Sequence, residues 1–153
     1  MSQENVELAK RFYPGSVDIV PMVAEPDALV AIFESLVHPD FETVGEGLAM
    51  SSGGVESDQE SSRRSAYGIQ GFIDVWSDFL SAWDTWVVTP VKLIDVDDER
   101  VLVLLDIRAR SKTHGVEMPI EAANLLTFRD GKLVRLELFN TQPEALEAAG
   151  LSE

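Results

Sequence analysis

The sequence predicts an α+β fold in which helices pack on one face of a curved antiparallel sheet. Helical periodicity dominates the first half of the chain, and from Trp86 the period changes from 3.6 to two residues, as in strands. Acidic or glycine-containing turns at residues 97–99, 114–115 and 130–131 separate the alternating segments, as in a meander of four strands. Because the helices precede the strands and do not alternate with them, a parallel α/β sheet is disfavoured.

The length, charge and cysteine content of the chain exclude several classes of protein and partner. The 153 residues, 45% of them hydrophobic, suit one domain spanning residues 1–153. A net charge of −15 disfavours nucleic acid and anionic membrane surfaces as partners. The lack of cysteine excludes disulfides and thiolate chemistry. Neither a secretory signal nor an apolar run of about 20 residues is visible, so we expect a cytoplasmic location and no membrane association.

Three amphipathic helices are predicted before the sheet. The first covers residues 2–13, with Ser2 as its cap and Pro14-Gly15 as its stop. The second covers residues 26–37, beginning at Pro26 and ending before the sequence His38-Pro39-Asp40. The third covers residues 68–83, where apolar side chains recur at three- and four-residue steps.

The segments between these helices are less regular. Residues 16–25 are partly apolar, and their pattern does not decide their structure. Residues 41–44 are typical of a short strand. Residues 47–65 are rich in serine and have no periodicity, so we interpret them as a mobile loop, either a loose connection or a lid over a site.

The second half predicts four strands and a closing helix. The strands cover residues 86–96, 101–112, 116–128 and 133–140, and the helix covers residues 143–149 with Gly150 at its end. On the second strand the odd positions from Val101 are apolar or small, and we place them against the helices. The even positions include Asp106, Arg108 and Arg110, which we place on the outer face.

One polar residue interrupts the apolar face of the third strand. Asn124 shares that face with Met118, Ile120 and Ala122. A buried amide needs hydrogen-bond partners, so it indicates either a satisfied core contact or a pocket. The small residues Ala109, Ser111 and Ala122 leave space near it, and this favours a cavity between the sheet and the helices.

No metal or cofactor is expected. The histidines His38 and His114 are far apart in the sequence and have no other plausible ligands near them. The chain has no glycine-rich nucleotide motif, no P-loop and no serine nucleophile elbow. Carboxylates, amides, a tyrosine or arginines would therefore carry any catalysis.

A family resemblance covers most of the chain in order. The segments NVELAKRFY, GIQGFIDVWSDFLSAWDTW, IDVDDERVLVLL, RARSKTHGVEM, LLTFRDGKLVRLE and PEALEAAGL resemble SnoaL-like proteins of the nuclear transport factor 2-like, or ketosteroid isomerase-like, superfamily. The resemblance implies a cone formed by a curved sheet wrapped around helices. It departs at residues 14–25 and 47–65, which look like insertions. The superfamily includes isomerases, cyclases, epoxide hydrolases, dehydratases and binding modules, so it implies no single function.

Comparison with the ketosteroid isomerases implies three candidate catalytic residues. Glu46 falls near the position of their base, and Asn124 falls where they have an acidic hydrogen-bond donor. Their helix tyrosine aligns with Phe12, so Tyr13 is one position, or about 100° of helix rotation, away. An incomplete set of this kind favours a binding protein, and a solvated Glu46 and a Tyr13 at the core edge are the simpler interpretations.

Two functions remain open at this point. The first is small-molecule binding without catalysis, or with a weak catalytic set. The alternative is a cofactor-independent isomerase or cyclase that moves a proton next to a carbonyl, with Glu46 as the base and Asn124 as the oxyanion donor. An epoxide-hydrolase-like pair of Asp106 and Arg108 is less favoured, because both are predicted on the outer face.

The expected partners are a small organic ligand and a second copy of the chain. The ligand is apolar or contains a carbonyl, and it is expected to contact inner-face residues, namely Phe12, Trp76, Ala109, Ser111, Met118, Ile120, Ala122 and Leu138. For Trp76, core packing within the helix stripe is the simpler interpretation. The resemblance also implies a homodimer through the outer face of the sheet.

Overall fold

The computed structural model describes residues 2–13, 15–45, 64–113, 115–139 and 141–151. Five helices and seven strands lie in this part of the chain. In chain order the elements are α1 (Ser2–Phe12), β1 (Val17–Asp18), α2 (Ile19–Ala24), α3 (Pro26–Phe33), β2 (Val37–Gly45), β3 (Arg64–Tyr67), α4 (Gly68–Leu80), β4 (Trp83–Asp95), β5 (Arg100–Ser111), β6 (Glu117–Arg129), β7 (Lys132–Phe139) and α5 (Gln142–Ala148).

All seven strands form one curved sheet in the order β1-β4-β5-β6-β7-β2-β3. The central strands β4 to β7 pair antiparallel with their chain neighbours, which confirms the predicted meander. β2 then adds in parallel to β7, and β3 pairs antiparallel with β2. On the other side, the two-residue strand β1 pairs with β4. The predicted α+β class is confirmed.

The main core lies between the inner face of this sheet and helices α1 to α4. The odd positions of β5 from Val101 to Ala109 are buried in that core, as the alternation predicts. On the outer face, Leu102 is buried with Ala145 and Ala149, so α5 covers part of that face. The longest described helix, α4, has 13 residues, and no helix in the described ranges is long and apolar enough to cross a membrane.

Two predicted helices end earlier than expected, because the residues that follow them pair with other strands of the sheet. The second helix ends at Phe33, and Val37 begins β2, so His38-Pro39-Asp40 lies inside a strand. Val37 pairs with Leu133 of β7, and the Leu133 N–H donates to the Leu36 carbonyl at 3.0 Å. Pairing resumes only at Glu42, and this irregularity accommodates the proline, which has no N–H for the ladder.

The third helix ends at Leu80, because Trp83 begins β4 opposite Ser111 of β5. An apolar residue such as Trp83 fits a helix stripe and a strand face equally well, so local pattern alone could not place this boundary. The undecided segment at residues 16–25 contains β1 and α2. Of the predicted loop at residues 47–65, Arg64 and Ser65 belong to β3, and the remainder lies outside the described residues.

Candidate functional site

A cavity of about 640 Å³ lies between the inner face of the sheet and helices α1 to α4. This volume falls within the range of about 300–1,000 Å³ typical of small-molecule sites. Its walls are predominantly apolar. Among the described lining residues, only Arg11 is charged, and Tyr13 and Asn124 offer hydroxyl and amide groups.

Aromatic rings form much of the wall. The rings of Phe79 and Trp86 meet edge to face with centroids 4.9 Å apart, and Trp83 and Trp86 do so at 5.0 Å. Trp76 contacts Phe79 edge to face at 5.6 Å. Interlocked rings of this kind hold one another in place and present flat apolar surface to the cavity. All three tryptophans of the chain line it.

Tyr13 and Asn124 meet inside this apolar wall. The Asn124 side-chain amide donates a hydrogen bond of 2.6 Å to the Tyr13 phenol oxygen. Asn124 lies in the middle of β6, opposite Val103 of β5 and Leu138 of β7. Tyr13 follows α1, and its N–H donates to the Lys10 carbonyl at 3.3 Å in a tighter turn. Because α1 ends at Phe12, the rotation of about 100° between successive helical residues does not separate Tyr13 from Phe12. Both side chains line the cavity.

Burial makes the Tyr13 phenol a weaker acid than an exposed tyrosine. Removal from water disfavours the charged phenolate, and this raises the pKa of Tyr13 to about 12. The hydrogen bond from Asn124 opposes that shift but is the smaller effect on the pKa. The phenol therefore keeps its proton at neutral pH. With its oxygen already accepting from Asn124, its O–H remains available to donate to a third group.

Six of the eight predicted ligand contacts lie along the cavity, namely Phe12, Trp76, Met118, Ile120, Ala122 and Leu138. Ala109 and Ser111 are not among the described lining residues. Their cross-strand neighbours on β4 are Trp86 and Trp83. Opposite side chains on a sheet stand about 5 Å apart, so these indoles occupy the space that the small residues leave. Ala109 is fully buried in the core.

The predicted base, Glu46, lies outside the described residues, as does His114. Asp106 and Arg108 are exposed on the outer face, and neither is among the described residues that line the cavity. No three His, Asp or Glu side chains come together as a metal site within the described ranges. His38 lies 3.9 Å from both Asp40 and Asp130 at the sheet surface.

Sequence reasoning missed part of the wall. Met22, Ile32 and Arg11 line the cavity, but they were not among the predicted ligand contacts. The segment carrying Met22 had no assigned structure. Arg11 could have been suspected from its position beside Phe12 and Tyr13 at the same helix end.

The fold of the described residues, with helices packed on a curved sheet, is similar to that of nuclear transport factor 2-like proteins. A nuclear transport factor 2-like protein of unknown function from Burkholderia pseudomallei K96243 superposes with a TM-score of 0.65 at 16% identity, covering 94% of this chain and 95% of that one. A protein assigned as a SnoaL-like polyketide cyclase from Jannaschia sp. CCS1 gives 0.62 at 15% identity, covering 99% and 94%.

A third solved structure, TerC co-crystallised with polyporic acid, gives a TM-score of 0.58 at 22% identity, covering 84% of this chain and 92% of that one. At these low identities, the superpositions show a shared fold. No curated protein matches the chain significantly. The model of the SnoaL-like domain family matches residues 31–136, which is more than half of the chain. The chain belongs to the SnoaL-like domain family.

Proposed function

We propose that this SnoaL-like protein binds a small, mainly apolar organic molecule that carries a carbonyl or a similar hydrogen-bond acceptor. The observation that carries the proposal is the Tyr13–Asn124 pair in an otherwise apolar cavity. Few polar groups in an apolar pocket fix a ligand's orientation through its own polar atoms. The Tyr13 O–H and the second Asn124 N–H are suitable donors to an acceptor. The relative TerC was co-crystallised with a small organic molecule, which also supports the proposal.

Intrinsic fluorescence provides a direct assay, because Trp76, Trp83 and Trp86 all line the cavity. Titration with a neutral aryl ketone, such as acetylnaphthalene, is expected to quench tryptophan emission with saturation. Ala122→Phe places a ring in the cavity and is expected to abolish saturable quenching. Ala148→Phe makes the same change at an exposed position of α5 and is expected to leave quenching intact.

Thermal unfolding of both variants separates a filled cavity from a misfolded chain. Cooperative unfolding of Ala122→Phe with lost quenching supports binding in the cavity. Equal quenching of the wild type and Ala122→Phe would place the ketone elsewhere and would contradict the proposal.

The second candidate is a cofactor-independent isomerase or cyclase. Its supporting observation is the position of the Tyr13 O–H in the cavity beside Asn124, since an enolate oxygen gains more from such a donor than the ground-state carbonyl does. In this mechanism the Glu46 carboxylate takes a proton from the carbon next to the carbonyl and returns it to another carbon. Tyr13 and Asn124 donate to the oxyanion in between. Glu46→Gln is then expected to abolish turnover while ketone quenching persists, and unchanged turnover would reject Glu46 as the base.

We also propose a homodimer through the outer face of the sheet. Asp106 of β5 stands directly opposite Glu121 of β6, and Arg108 lies two residues further along β5. All three side chains are exposed. Like charges directly opposite each other disfavour the isolated sheet. In a two-fold dimer the same patch meets itself, so Arg108 of one protomer can neutralise the acidic pair of the other.

A further inference from the structure

Three of the described lining residues are themselves exposed to solvent, namely Arg11, Ile32 and Met118. The other described lining residues are buried or half-buried. Arg11 therefore lies at the mouth of the cavity. It is also the one charged residue among those lining residues, in a chain with 27 acidic and 12 basic residues.

The positive charge of Arg11 is opposite in sign to the net charge of the chain. A net charge of −15 repels anions at long range, and it would favour a cationic ligand. No Asp or Glu occurs among the described lining residues, so a cation would find no carboxylate partner there. The one charged side chain among the described lining residues is thus opposite in sign to the net charge of the chain.

Arg11 is also free to bind a ligand. Its neighbour Lys10 forms an ion pair of 3.3 Å with Glu7 on the exposed side of α1. Arg11 forms no ion pair with any other described residue. Both lie in the last turn of α1, where the helix dipole favours a cation. That preference explains a basic residue in this turn, but it does not explain why the unpaired one lines the cavity.

We propose that the ligand of this cavity is an organic anion with an extended apolar body. Its carboxylate, or a comparable acidic group, contacts Arg11 at the mouth, and the apolar body lies among the aromatic rings. The planar guanidinium can donate two parallel hydrogen bonds to such a group. This inference rests on the proposed function, because it requires that the cavity binds a ligand, and it adds the charge of that ligand.

Two fluorescent probes that share the same aromatic rings test whether the cavity prefers an anionic ligand. Anilinonaphthalene sulfonate is an anion, and phenylnaphthylamine is its uncharged parent. Energy transfer from the cavity tryptophans reports the binding of each, and competition by the parent establishes that both occupy one site. At low salt, Arg11→Gln is expected to weaken sulfonate binding about fivefold, as a partly solvated ion pair of about 1 kcal/mol predicts, and to leave the parent's affinity unchanged.

The controls make the result specific to this side chain. Arg11→Lys is expected to retain most of the sulfonate affinity, and Lys10→Gln is expected to leave it unchanged although it removes the same charge one residue away. The proposal is overturned if Arg11→Gln leaves sulfonate binding unaltered, if it weakens both probes equally, or if Lys10→Gln has the same effect. Failure of the proposed function has a different signature: the wild type then binds neither probe in the cavity.

Discussion

The Asn124 amide donates to the Tyr13 phenol oxygen over 2.6 Å, which joins residues 111 positions apart in the chain. The bond connects the middle of β6 to the end of α1 across one wall of the cavity. It satisfies two polar groups that would otherwise be costly in apolar surroundings. The same pair therefore contributes to the stability of the fold and to the polarity of the site, and the two roles can be measured separately.

A double-mutant cycle tests the stabilising role. Tyr13→Phe and Asn124→Leu each leave one half-buried partner without its bond, so each is expected to lower the free energy of unfolding by about 1–2 kcal/mol. The double variant leaves neither partner unpaired, and its cost should be smaller than the sum. Urea unfolding measures all four proteins. Strictly additive costs would show that the two side chains do not interact.

Tyr13 is also expected to lose its proton at a higher pH than an ordinary tyrosine. The chain has two tyrosines, so Tyr67→Phe, at a position 70% exposed, leaves Tyr13 as the only one. The ultraviolet absorbance of tyrosinate in this variant is expected to rise with a midpoint near pH 12, because burial disfavours the charged phenolate. Adding Asn124→Leu should move the pKa of Tyr13 further upward, since the bond from Asn124 lowers it.

The stability effect of this titration has a definite sign. From an ordinary pKa of 10.0 to about 12, the unfolded chain releases the Tyr13 proton while the folded chain keeps it. The contribution of Tyr13 to stability is therefore complete below pH 10.0 and is lost as the pH rises through about 12. Circular dichroism identifies any unfolding in this range. A tyrosinate midpoint at the ordinary value in a folded protein would mean that Tyr13 is solvated.

The alternation of side chains made the sheet predictable. Val101 to Ala109 on β5 follow a period of two over a long segment, and this fixed which face is buried. Leu36, Val37 and Trp83 could not be placed in the same way, because an apolar residue at an element boundary fits either period. Their structure depends on β7 and β5, which lie far along the chain.

The site was predictable only in part. Asn124 was identified because an amide on an apolar strand face is unusual, and this pattern can be recognised from the sequence alone. The orientation of Tyr13 was not predictable from helical rotation, since it depends on α1 ending one residue earlier. Ala109 and Ser111 suggested empty space, but the tryptophans opposite them in the sheet register fill it.

Asp18 is expected to hold the α2 wall in place. One oxygen of its carboxylate accepts from the Val20 N–H and from the Trp86 N–H, each at 3.1 Å, and so caps α2 and connects it to β4. Asp18→Ala removes both hydrogen bonds and should cost about 2 kcal/mol in urea unfolding. Asp18→Asn retains an acceptor oxygen and should cost less. Equal costs for the two variants would show that the carbonyl oxygen does not replace these contacts.

Charge reversal on the outer face tests the proposed dimer. Arg108→Glu adds a third acid beside Asp106 and Glu121, so the dimer dissociation constant is expected to rise at least about tenfold, which corresponds to about 1.4 kcal/mol. Because Arg108 is exposed, the unfolding free energy of the protomer should change by less than about 0.5 kcal/mol. Sedimentation equilibrium at several protein concentrations measures the association.

Two further variants locate the contact. The swap Arg108→Glu with Glu121→Arg restores opposite charges if Arg108 of one protomer meets Glu121 of the partner subunit, and dimerisation should then recover. Lys10→Glu makes the same reversal on α1, outside the proposed interface, and should leave association unchanged. A wild type that sediments as a monomer at every concentration would contradict the dimer, and a swap that stays dissociated would place the interface contacts elsewhere.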